Sequence, residues 1–254
     1  MTDIHAHYDD AKFDGDREEL LASLSYMKII NAGCDRISSE KARALAEKYE
    51  NIYFTAGVHP EYAAVCGDFE SWLVPLLSHP KCVGIGEIGL DYHYDEPPRD
   101  IQKEIFNRQL YLAVKYGKPV VIHDRDAHAD SVDAVLAHSG VRGVFHSFSG
   151  SAETAKILRR AGLCISFSGV VTFKNAVKTV EACRTVDDGG FMVETDCPYL
   201  APTPFRGKRN DSSLTKYTAE RIAEIRGVSP EEIERLAQMV AGAHCGDLVH
   251  NLYA

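Results

Sequence analysis

Histidine and carboxylate side chains lie in this sequence at positions where they could bind divalent metal. Those that end or follow short apolar runs are His5, His7, Glu87, His123, His146 and Asp196. Neutral imidazoles and carboxylates suit zinc, manganese, iron or nickel, and magnesium where carboxylates and water dominate. A catalytic zinc usually takes only three protein ligands, so a set this large predicts two ions that share a bridging carboxylate.

Eight short apolar runs, rich in β-branched residues, alternate with longer segments of helical spacing. We predict strands near residues 3–7, 27–32, 52–58, 82–87, 119–123, 143–147, 163–168 and 191–195. Strands that alternate with helices pair in parallel, because a parallel connection needs a helical crossover. The pattern favours a closed (β/α)₈ TIM barrel, with an open doubly wound sheet as the alternative.

The intervening segments carry helix signals of their own. An apolar stripe begins at Ile101 and ends at Gly117, and a second helix runs from Ser151 to Ala161. A capped terminal helix follows Ser229. Because no linker or short repeat interrupts the chain, we expect residues 1–254 to form a single barrel domain.

The barrel prediction requires catalytic groups at the C-terminal ends of the strands. His5 and His7 end the first strand, and their spacing points both side chains to one face. Glu87 ends the fourth strand and His123 the fifth. His146 ends the sixth strand, and Asp196 follows the eighth.

Composition limits the class of protein. The chain has 254 residues, an apolar fraction of 45% and a formal charge of −9. The negative net charge repels polyanions, which argues against a large nucleic-acid interface whose affinity comes from electrostatic attraction. The scattered cysteines form no C-x-x-C pair, and no apolar run approaches the roughly 18 residues that span a bilayer. We therefore expect a cytoplasmic protein with reduced thiols and no membrane partner.

Seven motifs in order resemble the TatD family of metal-dependent deoxyribonucleases and cover almost the whole chain. They are Asp-Ile-His-Ala-His at residues 3–7, Gly-Val-His-Pro at 57–60, Gly-Glu-Ile-Gly-Leu-Asp-Tyr at 86–92, His-Asp-Arg at 123–125, His-Ser-Phe-Ser-Gly at 146–150, Glu-Thr-Asp-Cys-Pro-Tyr-Leu at 194–200 and Arg-Gly-Lys-Arg-Asn at 206–210. The resemblance implies an amidohydrolase-like TIM barrel that binds two ions (Mg²⁺, Mn²⁺ or Zn²⁺). It also implies hydrolysis of DNA, with 3′→5′ exonuclease action on single strands.

The resemblance further implies a division of labour among the side chains. His5, His7, Glu87 and Asp196 would hold one ion, and Glu87 would bridge to a second ion held by His123 and His146. We expect metal-bound hydroxide to attack the phosphodiester, with Asp196 and Glu87 at the catalytic centre and Asp196 as general base or as a plain ligand. The expected substrate contacts are His59, Arg125 and Arg206, and the expected supports of the ligands are Asp91, Glu194 and Ser149.

A second class of substrate stays open from the sequence. Related barrels hydrolyse small amides, lactones or acyl compounds with the same metal arrangement. The acidic composition favours such a substrate, whereas Arg125 and the basic segment at 206–209 favour a phosphate. The identity of the metal and the oligomeric state stay undetermined.

Overall fold

A computed structural model describes residues 1–243, which form an eight-stranded parallel sheet alternating with helices. The strands, β1 to β8, are Thr2–Ala6, Lys28–Ala32, Ile52–Ala56, Cys82–Asp91, Val120–Arg125, Gly143–Phe145, Cys164–Phe167 and Phe191–Val193. The helices, α1 to α9, are Arg17–Ser23, Arg36–Lys48, Glu70–Leu77, Arg99–Tyr116, His128–Ala137, Ala152–Arg160, Val177–Thr185, Thr215–Arg226 and Pro230–Ala243. Each strand pairs with the next one along the chain, which confirms the predicted (β/α)₈ barrel.

The sheet closes on itself where the first strand meets the segment after the last. Ala6 forms a parallel bridge with Cys197, and the His7 N–H donates to the Cys197 carbonyl at 2.7 Å. The Asp196 N–H donates to the His5 carbonyl at 2.9 Å. The main chain of three predicted metal ligands therefore makes the bonds that close the barrel.

Apolar side chains fill the interior of the barrel at the end opposite the candidate ligands. The strands contribute one side chain each to a single packed cluster: Ile4, Ile30, Tyr53, Val83, Val121, Val144, Cys164 and Met192. Side chains from all eight strands can meet only inside the barrel, and Val240 of α9 packs on the same cluster. This end of the barrel is apolar, so polar chemistry is confined to the opposite end.

Helix boundaries follow the capping residues. The carboxylate of Asp35 accepts from the Ser38 N–H at 2.7 Å in a capping box at the start of α2. Gly117 ends α4 in the left-handed conformation, and Ser151 caps α6, as the sequence predicts. Among the helices of residues 1–243, none combines the length and apolar character needed to cross a membrane.

The structure corrects the predicted end of the fourth strand. Glu87 lies inside β4, not at its end, because pairing with β5 continues from Ile88 to Asp91. The register shifts between Ile85 and Ile88, so the strand carries a bulge at Glu87. A comparable shift in β1 falls between Asp3 and Ala6. Bulges re-aim side chains, and both of these contain a predicted metal ligand.

Gly89 gives a test of the close packing between β4 and β5. Its φ is +144°, and a Cβ at this position would lie 1.9 Å from the carbonyl oxygen of His123. We expect Gly89→Ala to lower the free energy of unfolding by about 3 kcal/mol, through backbone strain and overpacking. Urea denaturation followed by circular dichroism measures the change.

Gly162→Ala is the matched control for this substitution. Gly162 also has positive φ, but a Cβ there would have no neighbour within 4 Å. Gly162→Ala should lower the free energy of unfolding by only about 1 kcal/mol, through backbone strain. Equal losses in the two variants would contradict the packing argument.

A histidine–carboxylate pair joins the end of β5 to the start of α5. The Nδ1 of His128 lies 2.6 Å from Oδ2 of Asp124, whose side chain is buried. Ala127 at the N-cap position offers no side-chain hydrogen bond, so this pair organises the turn. The hydrogen bond with Asp124 holds the pKa of His128 above its usual value.

Stability should therefore depend on pH through His128. A pKa that is higher in the folded state makes protonation stabilising below the ordinary histidine value, and the benefit disappears as pH rises through the folded value. We expect His128→Asn to lower the unfolding free energy by about 1 kcal/mol near pH 5.5 and much less near pH 9. Urea denaturation in metal-depleted buffer measures both values, and an equal loss at each pH would contradict the expectation.

Candidate metal centre

The buried carboxylate of Glu87 lies at the centre of the predicted ligands, with each oxygen facing a different group. Oε2 lies 3.2 Å from Nε2 of His5 and 3.5 Å from Nε2 of His7. Oδ1 of Asp196 completes this first group, at 3.3 Å from His7 and 3.7 Å from His5. β1 and the turn after β8 therefore supply three donors to one side of Glu87.

The second oxygen of Glu87 faces His123 and His146. His123, predicted to end the fifth strand, lies inside β5 because pairing with β4 continues to Arg125, and His146 directly follows β6. Oε1 lies 2.9 Å from Nδ1 of His123 and 2.9 Å from Nε2 of His146. The two imidazole nitrogens are 3.3 Å apart. The structure thus brings together all six side chains that the sequence nominates as ligands, in two groups that share Glu87.

The spacing of these donors fits divalent ions. Donors held about 2.1 Å from one ion are separated by roughly 3.0–3.4 Å in octahedral or tetrahedral geometry. The ring nitrogens of His5 and His7 approach to 3.1 Å, within that range. Three overlapping sets of side chains have ligand atoms within 4.8 Å of one another: His5, His7 and Glu87; His5, His146 and Asp196; and His59, Glu87 and His123. The donor chemistry and the spacing are both compatible with metal.

Three of the histidines are oriented through their outer ring nitrogens. Nε2 of His123 lies 3.0 Å from Oδ2 of Asp91, and Nδ1 of His146 lies 3.4 Å from Oε1 of Glu194. Nδ1 of His7 lies 3.2 Å from the main-chain carbonyl of Ala32. Such partners fix the tautomer and the ring orientation of a metal ligand. Asp91 and Glu194 thus lie where the sequence prediction expects supporting groups.

Ser149, the third predicted support, does not lie behind a ligand. It is exposed and lines a cavity beside the centre. Glu194 is held instead by the N–H of Ser147, at 2.8 Å, and by the hydroxyl of Ser166. Ser147 adopts a positive φ of 42°, whereas Ser166 lies inside β7 without a motif to mark it.

The charges at the centre follow from burial and from the surrounding imidazoles. Burial opposes ionisation of Glu87, but the neighbouring histidines, His146 foremost, hold its pKa well below the usual range. Burial also acts against protonation of His123, yet the hydrogen bonds to Asp91 and Glu87 raise its pKa to about 9. For His59 burial dominates and lowers the pKa to about 3. Glu87 is therefore ionised and His59 neutral near pH 7.

His59 lies at the mouth of the centre, next to the second group. The Glu61 N–H donates to Nδ1 of His59 at 3.3 Å, so the proton of the neutral ring is on Nε2. Nε2 lies 3.5 Å from Oε1 of Glu87. A protonated Nε2 has no lone pair for metal, so His59 fits a hydrogen-bond donor better than a ligand.

An open cleft of about 490 Å³ leads to the ligands, and a neighbouring cavity of about 420 Å³ shares its wall. Arg125 and Tyr199 line both spaces. The guanidinium of Arg125 lies 5.2 Å from the ring centroid of Tyr94, and no carboxylate of residues 1–243 forms an ion pair with it. Arg206 is exposed outside the lining of either space, with its guanidinium 4.1 Å from the ring centroid of Phe173.

One side chain at the centre was missed by the sequence prediction. Sγ of Cys34 lies 3.6 Å from Oε2 of Glu87 and 3.9 Å from Nδ1 of His7. Burial raises the pKa of this thiol to about 12, so it is protonated. Its place just after β2 is the available signal, since His7, His146 and Asp196 also follow strands directly or within three residues.

Comparison with known proteins supports the family assignment. The family model described as TatD-related DNase matches residues 2–241. The uncharacterized metal-dependent hydrolase YabD of Bacillus subtilis is 42% identical over 240 residues, which are 92% of this chain and 94% of that protein. The uncharacterized metal-dependent hydrolase YcfH of Escherichia coli is 35% identical over 247 residues, which are 93% of this chain and 92% of that protein.

A solved structure supports the same assignment. YjjV, a TatD homologue from Escherichia coli, superposes with a TM-score of 0.87 at 28% identity. The superposition covers 95% of this chain and 96% of YjjV. The family model extends over nearly the whole barrel, including every strand that carries a candidate ligand. The chain therefore belongs to the family of TatD-related DNases.

Proposed function

We propose that this TatD-family hydrolase cleaves phosphodiester bonds of single-stranded DNA at two divalent ions bridged by Glu87. The observation that carries the proposal is the division of donors around Glu87, whose two oxygens face two separate groups of ligands. Mg²⁺, Mn²⁺ or Zn²⁺ bound there would activate water and neutralise charge on the phosphate. The resemblance of the motifs to 3′→5′ exonucleases supports attack from the 3′ end.

His5, His7 and Asp196 are the proposed ligands of one ion, and His123 and His146 of the other. Of the two carboxylates, Asp196 is the better placed to receive a proton from water. Its side chain is 15% exposed, against 5% for Glu87, and it lines both the cleft and the neighbouring cavity. A general base must reach the proton that it abstracts, so Asp196 takes this role.

The mouth of the cleft supplies the contacts proposed for DNA. Arg125 offers a guanidinium without a carboxylate partner in residues 1–243, and its fork matches a phosphate. His59 can donate from Nε2 to a phosphoryl oxygen, and its pKa of about 3 keeps it neutral throughout the working range. Tyr94 and Tyr199 expose 63% and 45% of their surface and line the cleft, where bases can stack on them.

A second candidate function is hydrolysis of a small amide, lactone or acyl compound at the same ligands. Asp9, Asp10 and Glu61 line the cleft near its mouth and give it a negative edge. Carboxylates there repel a continuing polyanion and suit a smaller, uncharged substrate. The two functions differ in their need for Arg125.

An activity screen of the metal-loaded protein distinguishes the two functions. We expect Mg²⁺- or Mn²⁺-dependent release of a 3′ label from single-stranded DNA, with turnover lowered about 10²- to 10⁴-fold by Asp196→Asn. Arg125→Ala should raise the KM for DNA, and Arg125→Lys should restore part of the loss. Asp133→Asn, on the exposed face of α5, is the control for loss of one carboxylate. Turnover of lactones or acyl-amino acids with no cleavage of DNA would overturn the proposal.

Asp91→Asn tests the assignment of His123 as a ligand. The carboxylate holds Nε2 of His123 and directs Nδ1 towards Glu87. Loss of such a supporting group should weaken metal binding at one of two sites about 10- to 100-fold. Calorimetric titration of metal-depleted protein with Mn²⁺ or Zn²⁺ measures both sites.

The control for this titration is Asp126→Asn. Asp126 also lies within hydrogen-bond distance of a histidine, His93, but both of these side chains are exposed. Metal affinity should be unchanged in this variant. Unaltered affinity at both sites in Asp91→Asn would mean that His123 does not depend on Asp91 for metal binding.

A further inference from the structure

A third open space, of about 490 Å³, shares Tyr62 with the cleft and is lined by apolar and polar side chains in about equal measure. We call it the side cavity, and its apolar lining includes Ile37, Tyr62, Val65 and Trp72. Ile37 is 66% exposed and Val65 is 78% exposed, which is unusual for large apolar residues grouped together. Contiguous exposed apolar patches are a known feature of ligand-binding grooves and interaction sites.

The side cavity and the cleft share one lining residue. Tyr62 ends a short 3₁₀ helix after β3, lines both spaces and is 38% exposed. His59, which faces Glu87, caps the same helix. A ligand that extends from the metal ligands past His59 therefore meets the aromatic ring of Tyr62 and then the side cavity.

The charges of the side cavity are mixed. Arg36 is exposed at the start of α2 and, in the part of the chain that the structure describes, forms no ion pair. The carboxylate of Asp35 accepts from Ser38 in the α2 capping box, and Asp68 is exposed on the same lining. Because the lining includes carboxylates, it does not suit the continuous phosphate backbone of a nucleic acid. It suits a flat apolar group attached to a single phosphate.

We propose that the side cavity binds a nucleobase of the DNA strand whose scissile phosphate lies at the metal ligands. This inference rests on the proposed function and names a binding site for a nucleotide away from the bond that is cut. A base offers two apolar faces, which Tyr62, Trp72 and Val65 can cover, and a polar edge that stays in water. Arg36 contacts the phosphate that joins this nucleoside to the rest of the strand.

Trp72 provides a direct readout because it is the only tryptophan of the chain. The probe is a single-stranded oligonucleotide with phosphorothioate linkages that resist hydrolysis, added to metal-loaded protein. We expect it to change the emission of Trp72, whereas a strand of equal length and charge with abasic sugars does not. An equal response to the abasic strand, or no response to either, would overturn the inference.

Val65→Asp tests the same site through affinity and activity. It places a carboxylate where the base would pack, and loss of stacking should weaken binding of the oligonucleotide about fivefold or more. Arg36→Ala should weaken it as well. The matched controls are Val114→Asp and Arg160→Ala, since these exposed residues lie in the last turns of α4 and α6, at the opposite end of the barrel.

Hydrolysis of bis(p-nitrophenyl) phosphate separates this inference from the proposed function. This small phosphodiester cannot reach the side cavity, so Val65→Asp should cleave it at the wild-type rate. Failure of the wild-type protein to cleave any phosphodiester would overturn the proposed function itself. Cleavage of DNA and of the small substrate by the wild type, with equal KM for DNA in Val65→Asp, would overturn the side cavity alone.

Discussion

Burial of the Glu87 carboxylate is the constraint on which one end of this barrel depends, the end that carries the candidate ligands. Its side chain is only 5% exposed, and a buried charge must be matched by partners that replace water. The imidazoles within 3.5 Å lie in β1 and β5 or in the segments that follow β1, β3 and β6. The imidazoles can surround the buried charge only when these strands are in place. The candidate site and this end of the barrel therefore depend on each other.

The closing bonds of the sheet strengthen this dependence. Asp196 and His7 use their main-chain N–H groups to join the two edges of the sheet, and their side chains approach each other to 3.3 Å. Asp196 adopts φ +57°, which an aspartate tolerates better than most residues. A displacement at the closure would thus move two donors at once. Any ion that binds these donors would in turn favour the closed barrel over the unfolded chain.

The sequence predicted which six side chains come together because the ends of apolar runs can be recognised from local residue patterns. Apolar runs locate the strands, and the polar residue that ends each run locates the rim of the barrel. The bulge in β4 was not predicted, since Gly86 and Glu87 look like the end of a strand when pairing beyond them is unknown. Ser166 was missed because its role depends on contact with Glu194, a partner 28 residues away along the chain, and the sequence prediction named the exposed Ser149 as a support instead. Contacts of that kind are set by register between strands, which local patterns do not encode.

Under the proposed function, the site acts on a polyanion although the chain carries a formal charge of −9. The negative net charge gives no long-range attraction for a polyanion, and the carboxylates of Asp9, Asp10 and Glu61 make the edge of the cleft repulsive. Under the proposed function, two divalent ions would reverse the local sign only at the donors around Glu87. Affinity would then come from the ions, from Arg125 and from aromatic surfaces, and not from the backbone of a long strand. This favours a substrate that enters the cleft by its end, because an end brings one phosphate to the ions and few others to the acidic rim.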